Sequence, residues 1–315
     1  MIKETLLPVL LFMTCSVCLA MDFRPPGKAE RLRAIGSTEG LSETLRLALD
    51  PGSDFEPIPV PKPGDWLAEH HEPGQSFDDF VRAIPIRPDH IRNRIYLQPL
   101  GEFPENRSPQ IKTLKEYAAA YFGMKTEILS PLDMRGSDFR TRMNPLSKNK
   151  QILTTDVLIR LKKELPLDAF CVLAITMADL YPHPSWNFVF GQASSRDRVG
   201  VFSFARYDPT FYGESRGKGY HEILLRRSCR VLAHEMAHMF TLAHCIFFRC
   251  VMNGSNHLQE SDSRPLHLCP VCLRKLQFSI GFHVKDRYEK LFNFYTKAGF
   301  EDEARWTSKR LKGMK

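Results

Sequence analysis

From about residue 91 the apolar positions fall into a regular pattern. Arg94–Leu100 is a short apolar run with strand character, and residues 125–129 form a second one. Ile111–Phe122 places apolar residues at helical spacing and stops at Gly123, a helix terminator. Residues 154–165 read as an amphipathic helix. Ala169–Thr176 is continuously apolar, the pattern of a strand buried on both faces. Asn187, Phe188, Val189 and Phe190 read as a further strand, as do residues 200–204, and 206–220 as a glycine- and tyrosine-rich loop. Residues 222–242 then read as one long helix, with helices at 268–280 and 284–297 after it. Strands alternating with helices, closed by a helical end, predict an α/β or α+β domain around a mixed sheet.

The rest of the chain divides by composition. Residues 1–20 read as a hydrophobic leader and 21–88 as a Pro/Gly-rich, irregular extension containing one helix near 41–49. Residues 89–300 are the folded domain and 301–315 a basic tail. The leader has Lys3, an uncharged apolar stretch over 6–20 and a small-x-small site at Cys18, Leu19 and Ala20, the features of a secretory signal. Pro8 and an apolar span of about 15 residues exclude a stable membrane span. Two sequons, at Asn106 and Asn253, bear on secretion; a glycan at Asn253 would crowd the site described next and weighs against that route.

Charge narrows the partners. The formal net charge is +8, but the basic residues are dispersed over 158–163, 226–230 and 305–315 without interleaved aromatics. That describes solvated helix faces rather than a nucleic-acid surface. A monomer binding peptides is the expectation.

The chemistry concentrates after residue 233. His234 and His238 lie four apart on the long helix, so both imidazoles share a face and can ligate one ion. Glu235 lies beside the first of them, placed to act as a general base in metal-assisted hydrolysis. His244 follows as a natural third ligand once the helix ends. A carboxylate on a helix otherwise as apolar as Val231, Leu232, Met236, Met239 and Phe240 make this one needs a polar or metal partner. Cys245 and Cys250, with Cys269 and Cys272, have the spacing of a tetrahedral thiolate zinc site; two disulfides, in a secreted protein, or free buried thiols are the competing readings. Cys171 and Cys229 read as core thiols.

Taken together, His234-Glu235-x-x-His238 with His244, Cys245-x4-Cys250-x-Met252 and the distal Cys269-x-x-Cys272 resemble the archaemetzincin family of metallopeptidases. The resemblance extends over about 90–295 and, more weakly, over 64–80. It implies a compact metzincin-like domain: a twisted mixed sheet, an active-site helix below an edge strand and a helical C-terminal subdomain. It implies two zinc ions, one catalytic on His234, His238 and His244 with Glu235 as general base, one structural on Cys245, Cys250, Cys269 and Cys272. Met252 would be the methionine turn, and the strand near Asn187–Gly191 would pair with an extended peptide. The resemblance also implies aminopeptidase-like action on small peptides and a cytoplasmic or nuclear location, against the secretion suggested by the leader. One position departs from the metzincin pattern: Thr241 stands where that pattern has glycine. A β-branched residue at positive φ is disfavoured by roughly 1–2 kcal/mol. Either the turn forms at that cost, or it opens another way and His244 ligates loosely, or His244 does not ligate and the chain is a weak or inactive zinc-stabilised peptide-binding protein.

Overall fold

The computed structural model describes residues 23–134 and 139–314, so the leader expected at 1–20 lies outside the described residues. The strands are β1 (Arg94–Leu100), β2 (Lys125–Ile128), β3 (Thr141–Met143), β4 (Lys150–Leu153), β5 (Ala169–Thr176), β6 (Asp179–Tyr181), β7 (Gly191–Ser194) and β8 (Val199–Ser203). The helices are α1 (Lys28–Ile35), α2 (Glu43–Leu49), α3 (Trp66–Glu69), α4 (Phe77–Arg82), α5 (Ile111–Phe122), α6 (Thr154–Lys163), α7 (Tyr220–Met239), α8 (Leu258–Asp262), α9 (Pro270–Ile280), α10 (Val284–Ala298) and α11 (Glu301–Lys312).

The apolar run of β5 is buried at every position because it lies mid-sheet with helices on both faces. The sheet order is β2-β1-β5-β8-β7, with β7 antiparallel to β8 and the remaining pairs parallel. This is the mixed sheet the sequence predicts. Alternate residues point to opposite faces. Cys171, Leu173 and Ile175 join the core that contains Leu114 and Tyr117 of α5 and Leu232 and Met236 of α7. Val172 and Ala174 pack instead with Val157 and Leu161 of α6. A second sheet, β3-β4-β6, flanks the first.

Three expectations need correction. Asn187–Phe190 is not a strand: Val189 makes one isolated bridge to Leu180, and the edge strand is the next segment, β7. The carbonyl of Asn187 is already taken by the side-chain amides of Asn144 and Gln151, each at 3.0 Å, so it is unavailable to a ladder. Phe188 instead lies under the Arg206 guanidinium, 3.6 Å from its ring centroid. The segment expected as a basic tail is helical over Glu301–Lys312 (α11), with Glu301, Asp302 and Glu303 in its first turn and Lys309, Arg310 and Lys312 in its last, the arrangement that complements the helix dipole. Its buried face is polar, since Arg310 donates to Asp54 at 2.9 Å and to the Ala48 carbonyl at 2.9 Å. A buried face built from charges hides the helical period.

The extension is likewise ordered. Ser42 caps α2, and Ser76 with Asp79 forms a reciprocal capping box on α4. Ile35, Leu49, Phe55 and Phe80 join the main core, where α1, α2 and α4 pack on α9. Phe80 is fully buried. Phe80→Ala is expected to lower the unfolding free energy by about 3–5 kcal/mol, read from the urea midpoint. A loss of about 0.5 kcal/mol or less, the size of a surface substitution, would show that the segment merely adheres.

Candidate metal centre and active site

Helix α7 carries His234 and His238 on one face, and their Nε2 atoms lie 3.0 Å apart. The opposite ring nitrogens are occupied. His234 Nδ1 meets the Val251 carbonyl at 2.9 Å and His238 Nδ1 the Leu242 carbonyl at 2.7 Å. A carbonyl can only accept, so each Nδ1 carries the proton and each Nε2 presents a lone pair. Burial, and then the neighbouring imidazoles, hold His234 well below the ordinary histidine range. His238 is pushed down to about 4, again chiefly by burial.

The helix ends at Met239, and the chain turns at Thr241, whose φ is 69°. The left-handed conformation expected of a glycine is therefore made by threonine. The turn carries His244 back to the helix: its ring centroid lies 5.2 Å from that of His234 and 5.0 Å from that of His238. The structure thus brings the three histidines together, with ligand atoms all within 4.8 Å of one another. His244 Nδ1 is also tied, to Glu72 Oε1 at 2.8 Å. Three Nε2 lone pairs converge, which fits a divalent ion of the zinc type.

Glu235 is buried beside this cluster, and burial pushes its carboxyl up to about 8. It lies against Gly191 at the start of β7, where an added Cβ would stand 2.7 Å from Glu235 Oε1. Only glycine lets the edge strand come this close. A cleft of about 800 Å³ runs past these groups, lined also by Trp66, Asn187, Phe188, Val189, Phe190 and Thr241.

Beyond His244 the chain folds back, with the Cys245 N–H donating to the Met252 carbonyl at 2.8 Å. Met252 is fully buried. Cys245, Cys250, Cys269 and Cys272 are buried free thiols whose sulfurs lie within 4.8 Å of one another, a donor set that fits a second ion. Asn253 staples this loop. Its amide donates to the Cys245 and Phe248 carbonyls at 2.7 and 2.9 Å, and its oxygen accepts the Cys250 N–H at 2.8 Å. Asn253 is thus consumed internally rather than offered as a sequon.

Glu72, Trp66, Gln75 and Gly191 reach the site without having been singled out for it in the sequence, whereas Asn253 was placed beside it only as a sequon. The weak resemblance at 64–80 was the available signal for the first three. A third group of metal-type side chains, Asp65, His257 and Glu260, is already internally bonded. His257 Nδ1 accepts the Glu260 N–H, and Glu260 accepts the backbone N–H of Trp66 and Asn256.

Residues 141–278 match Peptidase family M54. Archaemetzincin-2 of Homo sapiens is 42% identical over 281 residues, spanning 80% of this chain and 78% of its own. Archaemetzincin-1 of Homo sapiens is 33% identical over 257 residues, spanning 73% of this chain and 52% of its own. The crystal structure of archaemetzincin from Methanopyrus kandleri is 27% identical, covers 61% of this chain and 97% of its own, and aligns with a TM-score of 0.44. With more than two fifths of its residues shared with archaemetzincin-2 over most of both chains, this protein belongs to the archaemetzincin family of zinc metallopeptidases.

Proposed function

We propose that the chain hydrolyses peptide bonds with zinc held by His234, His238 and His244, and that a second, structural zinc is held by Cys245, Cys250, Cys269 and Cys272. The observation that carries this reading is the convergence of three Nε2 lone pairs whose partner nitrogens are fixed by acceptors. Zinc bound there supplies Lewis-acid polarisation of the peptide carbonyl and acidifies the attacking water. Glu235 takes a proton from that water as its oxygen bonds to the carbonyl carbon. It returns the proton to the departing amine as the C–N bond breaks. Burial pushes the Glu235 carboxyl upward, which strengthens it as the proton acceptor of that step.

The substrate runs along β7. One edge of β7 pairs with β8, and among the described residues no strand pairs with the other. An extended peptide added there passes Gly191 and hence Glu235. Asn187, Phe188, Val189 and Phe190 line the mouth of the cleft rather than forming the ladder. Small peptides cleaved at a free N-terminus are the preferred substrates by family resemblance.

The full chain is expected to bind two zinc ions by native mass spectrometry. Glu235→Ala should keep both and lose about 10²–10⁴-fold in kcat. Undiminished turnover in that variant would remove Glu235 from the chemistry, and a single zinc would remove one of the sites. Thr241→Gly is expected to leave turnover within about two-fold and stability within about 1 kcal/mol, because relief of the left-handed strain offsets the lost Ile86 N–H contact to the Thr241 hydroxyl. A large rise in kcat would instead mean that threonine cripples the natural centre. Acetylating the N-terminus of a short test peptide should slow its cleavage; equal rates would assign endopeptidase action.

A further inference from the structure

The N-terminal segment touches the metal centre through side chains that no local pattern connects to it. We propose that Glu72 is a positioning residue for His244, and that residues 65–86 form a clasp that builds the third-ligand side of the centre. This rests on the three histidines being the zinc ligands.

The three histidines are not held alike. The acceptors for His234 and His238 are backbone carbonyls close along the chain, at Val251 and Leu242. The acceptor for His244 is a carboxylate 172 positions upstream. An anionic partner on Nδ1–H fixes the tautomer and makes Nε2 a stronger donor to a metal. Glu72 is itself oriented, because its Oε1 also accepts the Trp66 indole N–H at 2.9 Å. The Trp66 ring lies edge-on to His244, with centroids 5.1 Å apart, and its backbone N–H donates to Glu260 at 3.0 Å. The indole presses on Gly254, where an added Cβ would lie 2.4 Å from Trp66 Cδ1. Trp66 is thus bolted to the region after Met252, and Glu72 is aimed from it.

The same segment brackets the strained turn. Gln75 Nε2 donates to the Thr241 carbonyl at 3.2 Å, and Gln75 Oε1 accepts the Ala243 N–H at 3.1 Å. The buried Lys275 of α9 donates to the backbone and side-chain oxygens of Gln75, fixing the amide from behind. The Ile86 N–H donates to Thr241 Oγ1 at 3.3 Å, a contact that glycine at 241 could not offer. Threonine is therefore tied to the clasp by its hydroxyl, and the turn that delivers His244 is braced on both sides by residues from the extension.

The test measures zinc affinity in the full chain by chelator competition, with cobalt spectra of the histidine site as a second readout. Glu72→Ala is expected to weaken the histidine-site zinc by about 10- to 100-fold and alter the cobalt bands, while the cysteine-site zinc stays bound. Glu72→Gln, whose amide oxygen can still accept from His244, should lose less. Wild-type affinity in Glu72→Ala would overturn the proposal. So would parallel loss of both zinc ions in Glu72→Gln, which marks a general folding defect. His244→Ala separates the two readings. If it binds zinc like wild type, the ligand assignment itself fails. If it binds weakly while both Glu72 variants match wild type, the clasp alone fails.

Discussion

An imidazole is a useful ligand only when its second nitrogen has somewhere to put its proton, and the centre depends on where three Nδ1–H groups go. They go to Val251, Leu242 and Glu72. Those acceptors come from the loop after Cys250, the turn that ends α7 and the N-terminal extension. Helix α7 can aim His234 and His238 by itself, because four residues bring them to one face. It cannot choose their tautomers. That choice belongs to elements packed against it, so the site is a property of the assembled core.

The two cysteine pairs enter the same account. Val251 lies between Cys250, a member of the thiol cluster, and Met252, whose carbonyl accepts the Cys245 N–H at 2.8 Å. The Val251 N–H in turn donates to the His267 carbonyl at 3.1 Å. The Val251 carbonyl in turn meets His234 Nδ1 at 2.9 Å. The loop that carries Cys250 therefore also carries the acceptor for the first histidine. His244 and Cys245 are adjacent in the chain yet belong to different clusters, so a shift in one is felt by the other.

Much of this was legible in the chain, and the illegible part has a common cause. The β5 run, the α5 helix with its Gly123 stop and the His-Glu-x-x-His helix carry their signal locally, in a period or a short motif. Thr241 was legible as an oddity, a β-branched residue where a left-handed turn is needed, and its φ of 69° makes that reading concrete. Glu72, Gln75 and Arg310 were not legible in their roles. Each works through a partner more than 160 residues away in sequence. In a proline-rich stretch or a basic run, nothing local distinguishes a buried hydrogen bond from a solvated charge. The strand expected at Asn187–Phe190 failed for a related reason: alternating aromatics imitate a strand, while the neighbouring Asn144 and Gln151 had already claimed a carbonyl that a ladder would need.

Gly191 joins fold to chemistry by what it lacks. A side chain there would overlap the Glu235 carboxyl, so the edge strand and the carboxyl could not share the same space. Because they do, the Gly191 backbone lies directly against the buried Glu235 carboxyl. The burial pushes its carboxyl up to about 8 and leaves it against an edge strand of the sheet. Proton affinity and substrate proximity usually compete, since covering a carboxyl tends to cover what it must reach. Here one glycine satisfies both, and any larger residue at 191 would have to move either the strand or the carboxyl.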